Sequence, residues 1–270
     1  MDAKLDQLKS ILVQTESLLV AFSAGVDSTF LLKVAHMVLG DGAIALTASS
    51  PTAPPGELDA AREFTGSLGC RHIILNSHEL ANPQFSQNPA NRCFFCKDEL
   101  YRICRDQARQ LGVNIIVDGT NLDDLKDHRP GLKAAKAFGV RHPLVEAEMT
   151  KNDIRRCSRA LGLPTWDKPS SPCLSSRFPY GTEINLERLK QVADCEIFLK
   201  ELRFREFRVR YHGDLARIEV APNELERLME RETRDVVVRR FKEVGFKYIS
   251  LDLQGYRTGS LNEALAAKPN

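Results

Sequence analysis

Short runs in which every residue is apolar alternate, in the first half of the chain, with stretches whose apolar residues recur every three or four positions. The runs are Leu18 to Phe22, Ala43 to Thr47, Ile73 to Leu75 and Asn114 to Asp118. Continuous apolar runs of this length read as strands covered on both faces, as in a parallel sheet flanked by helices. Phe30, Leu31, Val34, Ala35 and Val38 have helical spacing. The alternation predicts βαβ units and an open α/β sheet, with right-handed crossovers placing helices on both faces. Ligands of such sheets bind at the carboxyl ends of the strands.

The pattern changes in the second half. Lys168-Pro169-Ser170-Ser171-Pro172-Cys173 is rich in turn residues and marks a boundary. We expect an α/β domain over 1–168, then a linker and a small α+β domain over 169–270. In the latter the pattern predicts a helix over about 185–202, strands at Phe207 to Tyr211 and Ala216 to Val220, one or two helices over about 222–244, and a last strand at Lys247 to Leu253. The tail, Ala264 to Asn270, is expected to be disordered.

Composition narrows the class. A chain of 270 residues, 43% hydrophobic and 27% charged, is an ordinary globular one. Lys+Arg 38 against Asp+Glu 36 leaves a net charge of +2, which argues against nucleic-acid and membrane-surface partners. No apolar run approaches the roughly 18 residues of a membrane span, and the N-terminus lacks a basic-then-apolar signal pattern. A cytoplasmic location is expected. The odd count of seven cysteines argues against a disulfide scaffold and towards metal, cluster or redox chemistry.

Two motifs carry chemistry. Ser23-Ala24-Gly25-Val26-Asp27-Ser28 lies between the first strand and a helix. Such a junction aims the helix's first N–H groups outward, where the dipole also favours an anion. Gly25 lets backbone approach a phosphate, Ser23 and Ser28 add hydroxyls, and Asp27 points either to a bridging Mg²⁺ or to a helix cap. The motif is not of the Walker type. The second is Cys93-Phe94-Phe95-Cys96, which opens a helical segment, with Cys173 in a separate Ser-Pro-Cys loop. A helix N-terminus favours thiolates. Three thiolates can hold a zinc with one open position or an iron–sulfur cluster with one iron lacking a protein ligand; a redox dithiol or half-buried structural cysteines are the other readings. Cys104, Cys157 and Cys195 fall in helical patterns and read as small core residues.

The Ser-x-Gly-x-Asp-Ser loop resembles that of the N-type ATP pyrophosphatases, which cleave ATP to AMP and pyrophosphate. The common loop has Gly where this chain has Ala24, which removes a position where positive φ is cheap. The resemblance implies an adenine nucleotide alpha hydrolase-like fold, with Ala48 and Ser49 near the adenine and Gly119, Thr120 and Asn121 as a further wall. Asp123 and Asp124 read either as metal- or substrate-facing groups or as helix caps.

Arg92-Cys93-Phe94-Phe95-Cys96-Lys97, Asp118 to Asn121, Ser171 to Gly181, Arg208 to His212 and Ala216 to Val220 together resemble the LarE family. That resemblance covers most of the chain. It implies an ATP-dependent sulfur transferase for the nickel-pincer nucleotide, the cofactor of lactate racemase. The substrate implied is pyridinium-3,5-biscarboxylic acid mononucleotide, which becomes a thiocarboxylate. The three-cysteine version of the family is understood to bind a [4Fe–4S] cluster, here through Cys93, Cys96 and Cys173. The single-cysteine version gives up its own sulfur, here that of Cys173. ATP, Mg²⁺ and the cluster are thus the expected cofactors, with sulfide or a sulfur-donor protein reloading the cluster. A homo-oligomer is expected, a hexamer being the arrangement the resemblance offers.

Lys97 is a candidate for stabilising phosphate charge, against a plain solvated lysine. Arg208 and Arg210 alternate on a strand and share one face, which suits the substrate's phosphate; Arg177 could join them and Glu219 could orient an arginine or bind ribose. The other reading is an exposed salt-bridged sheet face. The rival functions are a tRNA thiolation enzyme and an amide-forming ligase.

Overall fold

The computed structural model describes residues 2–126, 130–257 and 259–262; the expectation for Ala264 to Asn270 lies outside them. The chain forms two compact units. The first comprises Met1–Ser50, Gly56–Phe85 and Ala90–Ser171; the second comprises Pro51–Pro55, Ser86–Pro89 and Pro172–Asn270.

The first unit is built on four parallel strands, β1 (Leu18–Ala21), β2 (Ala43–Ser49), β3 (His72–Asn76) and β4 (Ile116–Asp118), in the order β3-β2-β1-β4. The apolar runs of the sequence correspond to these strands. The run at Asn114 starts pairing only at Ile116, and β2 and β3 extend further than their apolar cores. Helices α1 (Ala3–Val13), α2 (Val26–Leu39), α3 (Glu57–Leu68), α4 (Pro83–Ser86), α5 (Arg92–Leu111), α6 (Gly131–Ala137), α7 (Pro143–Glu146) and α8 (Lys151–Ala160) surround the sheet. Along β1 the side chains alternate between two cores. Leu18 and Val20 join Leu8, Leu31, Val34 and Ile154. Leu19 and Ala21 join Tyr101, Cys104 and Ala135.

The strand order decides where a ligand fits. From β1 the chain steps outward to β2 and β3, then returns to place β4 on the other side of β1. The order reverses between β1 and β4, so the segments leaving those two strands diverge and open a crevice at their carboxyl ends. Those segments are Ser23 to Ser28 and Asp118 to Asn121.

Cysteines 104 and 157 are core residues, and burial pushes their thiols up, to about 12 and about 11. Burial raises Cys195 as well.

The second unit carries a small mixed sheet in the order β5-β6-β7. Strand β5 (Phe207–His212) pairs antiparallel with β6 (Leu215–Val220), and β6 pairs parallel with β7 (Tyr248–Leu251). Helices α9 (Leu186–Glu201), α10 (Leu225–Met229) and α11 (Arg231–Glu243) complete it. The expected last strand is shorter than the run at Lys247 to Leu253, because Asp252 begins a turn closed by Gly255. Tyr211 lies between the rings of Phe178 and Phe246, at centroid distances of 5.2 and 6.0 Å. Among the described residues no helix is long and apolar enough to cross a membrane.

Candidate functional site

The Ser23 to Ser28 loop leaves β1 and enters α2 at Gly25, so the first turn of α2 has no side-chain cap. Its leading N–H groups are left for a ligand or water. Within the loop the Ser23 and Ser28 hydroxyls lie 3.1 Å apart, and Ser28 Oγ accepts from the Ser23 N–H at 3.3 Å. Gly25 is extended (φ −79, ψ 169). The left-handed residue is Ala24, at φ 54. The loop therefore keeps its positive φ although the sequence supplies alanine there. Lys168 helps to hold that conformation, donating to the Ala24 carbonyl at 3.1 Å and pairing with Glu57 at 2.6 Å.

The structure brings the β4 segment onto this loop. A Cβ added to Gly119 would lie 2.8 Å from the Ser28 nitrogen and 3.2 Å from Asp27 Cβ, so only glycine fits without a backbone shift. Asn121 donates to Asp27 at 3.4 Å. Asp27 also pairs with Lys151, the first residue of α8, at 2.6 Å. A cation thus already stands where the sequence suggested Mg²⁺ at Asp27. As a hard oxygen donor the carboxylate fits that ion once the lysine moves aside. The backbone N–H of Lys151 donates to Asp123 at 2.9 Å, which ties the β4 segment to the start of α8, and Asp124 accepts from the Asn121 N–H at 3.0 Å within its own turn. Ala48 and Ser49 end β2 half-buried, and Thr120 donates its N–H to Asp118 at 3.0 Å.

Asp118 is the anchor of this wall. It is buried and receives Tyr101 Oη at 2.5 Å and His142 Nδ1 at 2.7 Å besides the Thr120 N–H. Burial acts to raise its pKa, but the His142 hydrogen bond, the Lys97 charge and the Tyr101 hydroxyl outweigh it and hold the carboxyl far below the usual range. Lys97 lies 5.3 Å from the Tyr101 ring centroid. Lys97, Tyr101 and Cys104 follow helical spacing on α5, a signal that places Lys97 beside Tyr101. Nothing comparable in the sequence announces Lys151, Lys168 or His142.

Cys93 and Cys96 occupy the first turn of α5 at i, i+3, which puts them on one helix face. Cys93 is exposed and Cys96 half-buried. Two soft sulfur donors so placed fit one edge of a thiolate-held cluster. Cys173, also half-buried, belongs to the second unit. Among the described residues no three His, Cys, Asp or Glu side chains are gathered closely enough to hold a metal ion.

In the second unit Arg208, Arg210, Arg217 and Glu219 share one face of the β5–β6 pair, in the register Arg208↔Glu219 and Arg210↔Arg217. The face is salt-bridged, as one reading of the sequence had it, but Arg208, Arg210 and Glu219 are buried rather than exposed. Arg210 makes a fork to Glu219 at 2.9 and 2.8 Å, and Arg217 adds a third bond to that carboxylate at 3.1 Å. Arg208 stacks on Tyr256, its guanidinium 4.8 Å from the ring centroid. Burial, then the neighbouring Arg177 charge, lowers its pKa. Arg177 is forked to Glu196, 2.8 Å at each oxygen. A small open cleft in this unit is lined by Arg177, Pro179, Arg210, His212, Arg217 and Leu261. Its basic lining suits an anion.

Comparison with known proteins gives this geometry a lineage. No family model matches the chain. An uncharacterised protein of Synechocystis is 44% identical over 265 residues, 98% of this chain and 99% of that protein. The pyridinium-3,5-bisthiocarboxylic acid mononucleotide synthase of Lactiplantibacillus plantarum is 36% identical over 259 residues, 96% of this chain and 93% of its own length. A glutamine-hydrolysing GMP synthase component of Archaeoglobus fulgidus is 25% identical over 156 residues, 54% of this chain and 51% of that protein. Together with the uncapped loop at the reversal of a parallel sheet, these relatives show that the chain belongs to the LarE family, the family of the Lactiplantibacillus synthase, among the relatives of the N-type ATP pyrophosphatases.

Proposed function

We propose that the protein inserts sulfur into pyridinium-3,5-biscarboxylic acid mononucleotide at the expense of ATP. The reading is carried by the phosphate loop closed against Gly119, in a chain 36% identical along nearly its whole length to a synthase of the bisthiocarboxylic nucleotide. ATP lies with its phosphates on Ser23 to Ser28, Mg²⁺ at Asp27, and Ala48, Ser49, Thr120 and Asn121 around the adenosine. A substrate carboxylate attacks the α-phosphorus, and pyrophosphate leaves. Lys97, and Lys151 once Asp27 takes the metal, supply positive charge to the departing phosphates. The carboxylate oxygen, a poor leaving group by itself, is now part of an acyl phosphate. A sulfur nucleophile attacks the carbonyl carbon, AMP departs, and a thiocarboxylate remains.

Cys93, Cys96 and Cys173 are the residues we assign to a [4Fe–4S] cluster, which when bound supplies an iron without a protein ligand and hence a seat for the sulfide to be donated. A second candidate source is Cys173 itself. Its thiolate would form a thioester on the activated carboxyl. Loss of the Cys173 α-proton with cleavage of its Cβ–S bond would then release the thiocarboxylate and leave dehydroalanine. The substrate's phosphate falls to Arg208 and Arg210, with Glu219 aiming Arg210 and with Arg217 and His212 beside it.

The test is single-turnover chemistry on anaerobically purified protein, with iron and acid-labile sulfide measured first. Pyrophosphate release that depends on the pyridinium nucleotide, with a thiocarboxylate product, is expected. Release that follows added tRNA or an amine instead would overturn the reading. Bound iron with an intact Cys173 mass after turnover supports the cluster; no iron and a mass loss of H₂S at Cys173 supports the sacrificial route.

A further inference from the structure

The loop that carries Cys173 contains no strand or helix before Leu174, yet both peptide planes flanking the Cys173 Cα are pinned. On one side, the Pro172 carbonyl accepts from Arg177 Nη1 at 2.8 Å. On the other, the Cys173 carbonyl accepts from the same Nη1 at 3.2 Å and from the Ser176 N–H at 3.0 Å, while the Leu174 N–H donates to the Thr52 carbonyl at 2.7 Å. Arg177 Nη1 also reaches Ser176 Oγ at 2.9 Å, and Arg210 holds the Ser176 carbonyl at 2.8 Å.

Arg177 can do this because its other edge is fixed. Glu196 of α9 takes Nε and Nη2 in a fork, and the same carboxylate accepts the Val209 N–H at 3.0 Å. Val209 lies on β5, the edge of its sheet, so Glu196 both covers an open edge and sets the guanidinium plane. Arg177 is only 2% exposed. A buried pair of this kind adds little net stability over an apolar pair of the same volume. What it does provide is direction, since a planar fork held on one side presents its remaining donors at fixed angles.

We infer that Arg177 and Glu196 are positioning residues for the Cys173 thiol: they fix the peptide planes on either side of it and so set the direction in which its Cα–Cβ arm, carrying Sγ, leaves the backbone. The inference rests on the reading of Cys173 as the sulfur-bearing or cluster-bearing cysteine. It moves Arg177 from the substrate's phosphate to the loop.

The test is residue-resolved alkylation of the purified full-length protein by iodoacetamide, read by mass spectrometry, in Arg177→Lys and Glu196→Gln. Lysine keeps the charge and loses the fork; glutamine keeps the shape and weakens it. Cys173 should label about tenfold faster or more in both, as local opening of the loop becomes easier, while Cys93 and the buried Cys195 keep their rates. In single turnover the rate should fall, with the ATP concentration at half-saturation unchanged. An unchanged Cys173 rate in either folded variant overturns the inference, as does an equal acceleration at Cys195, which would mean general loosening. If Arg177→Lys does not fold, Glu196→Gln decides alone. The labelling needs no substrate, so it stands or falls separately from the proposed reaction.

Discussion

The Ser23 to Ser28 loop and the arginine face both offer N–H donors, but they are made of different materials. The loop of the first unit uses backbone N–H groups, two serines and a glycine neighbour, with its one carboxylate, Asp27, partly exposed and shared between Lys151 and Asn121. The face of the second unit uses long guanidiniums buried on carboxylates, Arg177 on Glu196 and Arg210 on Glu219. A backbone site follows from where strands end, so it tolerates side-chain change wherever the chain can still turn. A site of paired charges follows from who meets whom, so removing one partner strands the other.

The sharpest way to break the contrast is Glu219→Ala, which leaves Arg210 buried without its carboxylate. We expect a loss of about 3–5 kcal/mol in urea unfolding, as for other broken buried pairs. A loss under about 1 kcal/mol would show that the face is not held by its charges. Next comes Gly119→Ala. The methyl group meets backbone at Ser28 and Asp27, and overpacking of this kind costs about 1–3 kcal/mol. Because the shift falls on the loop itself, ATP-dependent pyrophosphate release should drop about tenfold or more, the factor that about 1.4 kcal/mol gives. Full activity would mean that Gly119 is a spectator.

Asp118 gives a pH test. Its pKa is depressed in the folded protein, so its stabilisation is complete above the unfolded value of about 4 and drains away as pH falls below it. Between pH ~5 and ~3 the advantage of wild type over Asp118→Asn should therefore shrink by about 1 kcal/mol. A gap that stays constant would assign the acid response to other carboxylates.

The smallest effect is at Ala24. Changing it to Gly relieves a left-handed alanine, worth about 1–2 kcal/mol. It also frees the unfolded chain by about 0.4–1 kcal/mol and removes a buried methyl worth about 0.8 kcal/mol. The terms nearly cancel, and a stability within about 0.5 kcal/mol of wild type is expected from them. A large gain would show that the loop is strained beyond what Lys168 and packing offset.

Much of the fold was legible because it rests on local periodicity. The runs at Leu18, Ala43 and Ile73 became strands, and the break after β1 became an uncapped loop into α2. The residues that complete the site were not legible in the same way. Lys151 reaches Asp27 across 124 positions and Lys168 reaches Ala24 across 144. Asp118 stood in view within its motif, yet its role depends on Tyr101 and His142 arriving from α5 and from the entry to α7.

Taken alone, the order of apolar and polar residues determined which segments become strands, that those strands are parallel and covered, and that a loop and a helix start follow the first. Nearest-neighbour sterics and burial act over a few residues and so are written locally. Only the tertiary structure decided that Lys151 neutralises Asp27, that Gly119 closes on Ser28, and that Arg177 and Arg210 spend most of their donors on Glu196, Glu219 and the Cys173 loop. Charge pairing depends on distances of a few ångströms between residues far apart in sequence, and those distances exist only after the chain has packed.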